Sequence, residues 1–130
     1  MRRLPAALAC DARLQYHNGY YYLATTTWNS TITMRRSRTL AGLSSAADTV
    51  VFTLSRPNGC CNMWAPEFHL LNGRWYMYYV AGQNVPDYNP TQRLHVLESA
   101  GSDPMGPYTF KADLGSTWEL DPSILQHNGK

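Results

Sequence analysis

The dipeptide Asn-Gly recurs at Asn18-Gly19, Asn72-Gly73 and Asn128-Gly129, 54 and then 56 residues apart. No other feature of the chain constrains its fold as strongly. Asn-Gly between extended segments marks a two-residue hairpin turn, because both turn positions need positive φ and these residues tolerate it best. A fourth Asn-Gly, Asn58-Gly59, falls outside the spacing. Aligning the three turns brings the nine residues that end at each into register: DARLQYHNG, APEFHLLNG and DPSILQHNG. The fourth place is apolar each time (Leu14, Phe68, Ile124), and Pro66 and Pro122 share a second place that Ala12 takes in the first unit.

Strongly β-forming runs come after the first two turns, Tyr20 to Thr25 and Trp75 to Val80. Third strands are predicted at Thr31 to Arg35 and Arg93 to Leu97, and fourth strands at Thr49 to Phe52 and Tyr108 to Phe110. No segment carries a convincing helical period. Four short strands in about fifty residues, repeated, is the pattern of a β-propeller blade. A β-sandwich with coincidental turns is the simpler alternative. The second repeat carries an insertion, Gln83 to Thr91 (QNVPDYNPT), between its second and third strands, and surface loops of this kind often line a site. Blade 1 is expected at about 11–55, blade 2 at about 63–115, and the start of a third at 118–130. A ring closes with about four to eight blades, so the chain reads as part of a longer domain.

Composition narrows the function. Charged residues make up 15% and hydrophobic residues 44% of the 130, which argues against disorder and against a charged helical bundle. A net charge of +2 gives no reason to expect a nucleic-acid partner; the one basic cluster, Arg35, Arg36 and Arg38, fits a solvated strand edge. No apolar run approaches a membrane span. Residues 1–10 (MRRLPAALAC) hold two Arg before an apolar run too short for a secretory signal, and read as a short leader of open status. Three Cys, two of them neighbours at Cys60 and Cys61, give no disulfide framework or zinc spacing, and are expected to be ordinary thiols. The four His show no metal-ligand spacing, so no metal or cofactor is expected.

The first place of the aligned unit holds Asp11, Ala65 and Asp121. The innermost strand of each blade lines a propeller's axial channel, so Asp11 and Asp121 are expected to face one funnel from two blades. Glu67, two residues past Ala65, shares its side by strand alternation. An Asp before Pro also caps turns; two at one phase of a double repeat leave a functional role and a capping role equally open. Carboxylates converging on an aromatic-rich channel suit glycoside hydrolysis, which needs an acid and a base flanking the bond. Trp28 and Trp64 offer sugar-stacking faces, Trp75 fits the strand core, and His69 beside Glu67 either bonds a sugar hydroxyl or is structural.

The segments CDARLQYHNGYYYLATT, ITMRRSRTLAGL, NMWAPEFHLLNGRWYMYYVAG, QRLHVLESAGSDPMGPY and LDPSILQHNGK, in this order, resemble glycoside hydrolase family 43, nearest its α-L-arabinofuranosidase and exo-arabinanase-like members. The resemblance implies an all-β, partial five-bladed β-propeller with about two and a half blades present, from a secreted inverting hydrolase acting on arabinose- or xylose-containing plant polysaccharides. By resemblance Asp11 matches the general base and Asp121 the residue that orients the acid and tunes its pKa. Trp64, Glu67, His69 and Trp28 are matched to sugar binding. The general acid, a Glu, is expected beyond Lys130, and the isolated chain is therefore expected to be inactive. Asp11 is followed by Ala12, where the family has Pro. The resemblance leaves a channel metal in a complete domain open. A non-catalytic carbohydrate-binding propeller is the alternative. The motifs of fructan-acting relatives and the WD or kelch signatures are absent. Asn29-Ser30-Thr31 is a glycosylation sequon, informative only in a secreted eukaryotic protein.

Overall fold

The computed structural model describes residues 12–53, 56 and 58–129. Among the described residues, eight strands form two four-stranded antiparallel meanders, each in plain sequence order. The first holds β1 (Ala12–His17), β2 (Tyr20–Thr25), β3 (Thr31–Ser37) and β4 (Thr49–Thr53). The second holds β5 (Cys61–Leu71), β6 (Arg74–Gly82), β7 (Arg93–Ser99) and β8 (Tyr108–Asp113). The only other regular elements among the described residues are two short 3-10 turns, Ala41–Ser44 and Asn89–Thr91.

The turns behave as their chemistry requires. Asn18, Asn72 and Asn128 sit at φ of 47°, 52° and 48°, and Gly19, Gly73 and Gly129 come next at 84°, 80° and 74°. Two successive positive φ values make the hairpin turn whose twist matches its strands. Register is set by it: His17 pairs with Tyr20 and Leu71 with Arg74 across the first two turns. The third unit differs. Asp121 to His127 forms no strand, because an extended segment becomes one only when it pairs, and no described residue pairs with it.

One core joins the sheets. Tyr22, Ala24, Ile32, Met34 and Phe52 of the first meander cluster with Phe68, Trp75, Met77, Tyr79 and Leu97 of the second, all almost wholly buried. Burial alternates along β3, as a strand with one buried face demands. The inner strands β1 and β5 also meet directly, with Gln15 Nε2 donating to the Phe68 carbonyl at 2.7 Å. This places the openings of β1 and β5 together at one end of the molecule.

The cysteines correct the expectation of free thiols. Cys60 and Cys61 are joined to each other by a disulfide, their Cα atoms 3.8 Å apart, at the start of β5. Spacing rules look for partners at a distance and pass over the nearest one.

Candidate active site

β5 is not a regular strand where it matters. Its pairing with β6 shifts register between Cys61 and Trp64 and again between Trp64 and Glu67. Asn62 and Ala65 adopt positive φ, 52° and 48°. Hydrogen bonds from other parts of the chain hold the distorted run: the Ala65 N–H donates to Thr26 Oγ1 at 2.9 Å, the Met63 N–H donates to the Asn29 carbonyl at 3.1 Å, and Gln92 Nε2 donates to the Asn62 carbonyl at 3.0 Å. The kink turns three successive residues, Ala65, Pro66 and Glu67, toward one cleft, a presentation that simple alternation does not provide.

Asp121 repeats that kink. Its φ is 52°, and like Ala65 it precedes a proline, so the first place of the aligned unit has the same left-handed backbone in the second and third repeats. A residue before proline favours extended backbone, and left-handed non-glycine residues cost on the order of 1–3 kcal/mol and gather at functional sites. The two kinks line one cavity of about 180 Å³, together with Ala12, Arg13 and Ser123. Residues more than fifty positions apart thus share a small pocket at the mouth of the inner strands.

The cleft carries mixed charge. Glu67 Oε1 lies 3.8 Å from Arg13 Nη1, and its other oxygen is 3.0 Å from His69 Nε2. Arg13 Nε is buried with no hydrogen-bond partner. Asp121 is exposed at the rim. The described residues therefore put two carboxylates and one guanidinium around a space open to solvent.

Of the residues singled out in the sequence, Glu67 and Asp121 come together here. Asp11 lies outside the described residues, although its neighbour Ala12 lines the cleft. His69 is buried, edge-on to Tyr78 and bonded to Glu67, so it holds the carboxylate from behind rather than lining this space. Trp64 and Trp28 do not line the cleft; they pack on each other with ring centroids 4.8 Å apart, Trp64 being the residue before Ala65. Trp28 is half-exposed at φ 62°, and Tyr88 of the inserted loop meets Trp64 edge-on at 5.8 Å. Trp75 is core, donating its indole N–H to the Ser102 carbonyl at 3.0 Å. Sequence reasoning missed Arg13 as the partner of Glu67. Its place two residues into the first repeat, opposite Glu67 two residues into the second, was the available signal.

Two meanders with inner strands adjoining at a polar mouth have the form of β-propeller blades. Comparison with known proteins agrees. The sequence model described as "Glycosyl hydrolases family 43" matches residues 6–130. An extracellular exo-alpha-(1->5)-L-arabinofuranosidase of Streptomyces chartreusis is 37% identical over 116 residues, covering 85% of this chain and 34% of that protein. The enzyme of the same name from Streptomyces avermitilis is 34% identical over 122 residues, covering 88% and 25%. The crystal structure of an alpha-L-arabinofuranosidase from Lactobacillus brevis superposes with a TM-score of 0.81 at 26% identity, covering 93% of this chain and 42% of that one. The chain spans about a third or less of the length of the curated relatives it matches. It belongs to glycosyl hydrolases family 43, and its two meanders are blades of a partial five-bladed propeller.

Proposed function

We propose that the chain contributes the axial cleft of a secreted inverting glycosidase that releases arabinofuranosyl units from plant polysaccharide. The observation that carries this reading is the meeting of Glu67 and Asp121 in one cleft on two matching kinks. The relatives' names supply the sugar and the extracellular setting.

In this reading Asp11 takes a proton from a water poised against the anomeric carbon. An inverting enzyme leaves room for that water by holding base and acid about 6.5–9.5 Å apart. Asp121 orients the acid and, by its negative charge, favours the acid's protonated form. The acid that the family resemblance calls for is matched to no residue of this chain. Glu67, braced by His69 and Arg13, accepts hydrogen bonds from hydroxyls of the terminal sugar, and Trp64 and Trp28 offer apolar ring faces next to it. Such a carboxylate acts on binding more than on bond breaking.

The test has two arms. Titration of the chain with a two-unit α-1,5-arabino-oligosaccharide, followed by amide NMR, is expected to shift Ala65, Glu67 and Ser123, and Glu67→Gln to weaken the affinity about tenfold. For catalysis, residues 11–129 replace the matching part of the Lactobacillus brevis enzyme, and the sugar released from an aryl arabinofuranoside is followed by proton NMR. Product of inverted configuration, lost on Asp121→Asn, is expected; a retained configuration overturns the mechanism, and an unmoved cleft overturns the site.

A further inference from the structure

A second cavity, of about 310 Å³, opens beyond the start of β5. It lies between Asn58-Gly59, the ends of the inserted loop, and the far edge of the second sheet, and none of its lining residues belongs to the axial cleft. We infer that it is a second sugar-binding subsite, which engages an uncharged unit of the oligosaccharide some distance from the bond that is cut. The inference rests on the carbohydrate reading of the axial cleft for the identity of the polymer.

The walls are built with care for shape. His95, 2% exposed, presents its ring to the cavity, and Gly59 lies flat against it: a Cβ on Gly59 would stand 2.8 Å from two ring atoms. Gly59 also needs its φ of 98°, which a side chain would strain. The loop is tied shut at its base by the Gln83 N–H on Thr91 Oγ1 at 2.9 Å, and to the opposite wall by Gln83 Nε2 on Asn58 Oδ1 at 2.7 Å.

Charge decides what fits. Asp113 is held by two hydrogen bonds from Arg56, at 3.2 and 2.8 Å, and faces His95 Nδ1 at 2.6 Å. Arg93 turns Nη1 onto the carbonyls of Pro90 and Gln92, at 2.9 and 2.8 Å. Asp113 is thus paired within the protein, whereas Arg93 spends one nitrogen on backbone carbonyls and has no carboxylate partner among the described residues. Among the described residues, Asn58 Nδ2 and Gln83 Oε1 take no hydrogen bond, which leaves a free donor beside a free acceptor on paired amides. A hydroxyl donates and accepts at once, so an uncharged polyhydroxylated ring satisfies that pair where an anion or a cation satisfies half of it.

Position links the cavity to the cleft. Gly59 precedes Ala65 by six residues of kinked chain, which reach roughly 20 Å at most. The inserted loop lines the cavity through Gln83, Pro90 and Thr91, and its Tyr88 packs on Trp64, the residue before Ala65 of the cleft. Only an oligosaccharide of several units touches both.

Amide NMR of the chain separates the possibilities, using α-1,5-arabino-oligosaccharides of two and five units. The five-unit probe is expected to shift Gly59, Gln83 and His95 as well as the cleft, and the two-unit probe the cleft alone. Paired substitution Asn58→Ala with Gln83→Ala is expected to weaken the longer probe about tenfold and leave the shorter within about twofold. If the five-unit probe moves the cleft but not Gly59, Gln83 and His95, this inference fails and the cleft stands. If Gly59 moves with inorganic phosphate and not with sugar, the ligand class is wrong. Movement at Gly59 without the cleft upholds the subsite and overturns the axial reading; no movement with either probe overturns both.

Discussion

Arg35 grips Asp48 with two hydrogen bonds, Nε to Oδ1 at 2.6 Å and Nη2 to Oδ2 at 2.8 Å, and it holds that carboxyl below its ordinary range. Asp113 is lowered in the same way, by Arg56 first and by His95 after it. A carboxyl with a folded pKa below its unfolded one adds stability above the unfolded value, about 3.9, and loses it as pH falls through the folded value. Half of the Asp48 side chain meets solvent, so its share is under about 1 kcal/mol. Asp48→Asn is expected to lower stability to urea at pH 7, with the gap closing near pH ~2; a gap that persists in acid would trace the loss to packing. These pairs were not legible in the sequence. His95 and Asp113 are 18 residues apart and meet only through the β7–β8 register, which slips by a bulge between Val96 and Leu97.

At the scale of elements, the hairpins were the legible part. β2 begins and ends where Tyr20 to Thr25 was predicted, and each of the other predicted strands contains its run. The reason is local: Asn-Gly fixes the turn, and tyrosines, valines and threonines fill the strand on its far side. Gly73 at φ 80° has open space around it, so its demand is conformational alone. Gly73→Ala is expected to cost about 1 kcal/mol in thermal or urea unfolding without moving the register that cross-strand NMR contacts report. A cost near zero would mean that the turn relaxes to another type. β5 was the illegible element. Its left-handed residues are Asn62 and Ala65, and no glycine flags the second of them. Long-range hydrogen bonds from the β2–β3 connection, through Thr26, Thr27 and Asn29, and from Gln92 before β7 hold that shape. The Cys60–Cys61 disulfide was hidden for a like reason, since adjacency alone says nothing about bonding.

Across the whole molecule, the two sheets share one apolar cluster rather than holding one each. Phe68 is its hinge, wholly buried, on β5, with its ring 5.6 Å from Trp75. Phe68→Ala is expected to remove about 3–5 kcal/mol and to lower a single transition, seen together by far- and near-ultraviolet circular dichroism. Two separated transitions would show that the blades are independent. The repeat made this architecture readable from the sequence, because equal spacing of equal turns implies equal units. The axial cleft was half readable. The spacing put Glu67 and Asp121 on one side of the repeated unit, whereas the brace from Arg13 and the kink at Ala65 depend on contacts between distant parts of the chain.

The bend shared by Ala65 and Asp121 has a consequence for how such rings diversify. The main chain already makes the turn at Ala65 with only a methyl to show, so the shape that displays a carboxylate at Asp121 exists apart from the carboxylate itself. A single codon change at such a station adds or removes an acid while the scaffold stays as it was. Duplicated units can then share out chemical duties one by one, without each novelty waiting on a new fold.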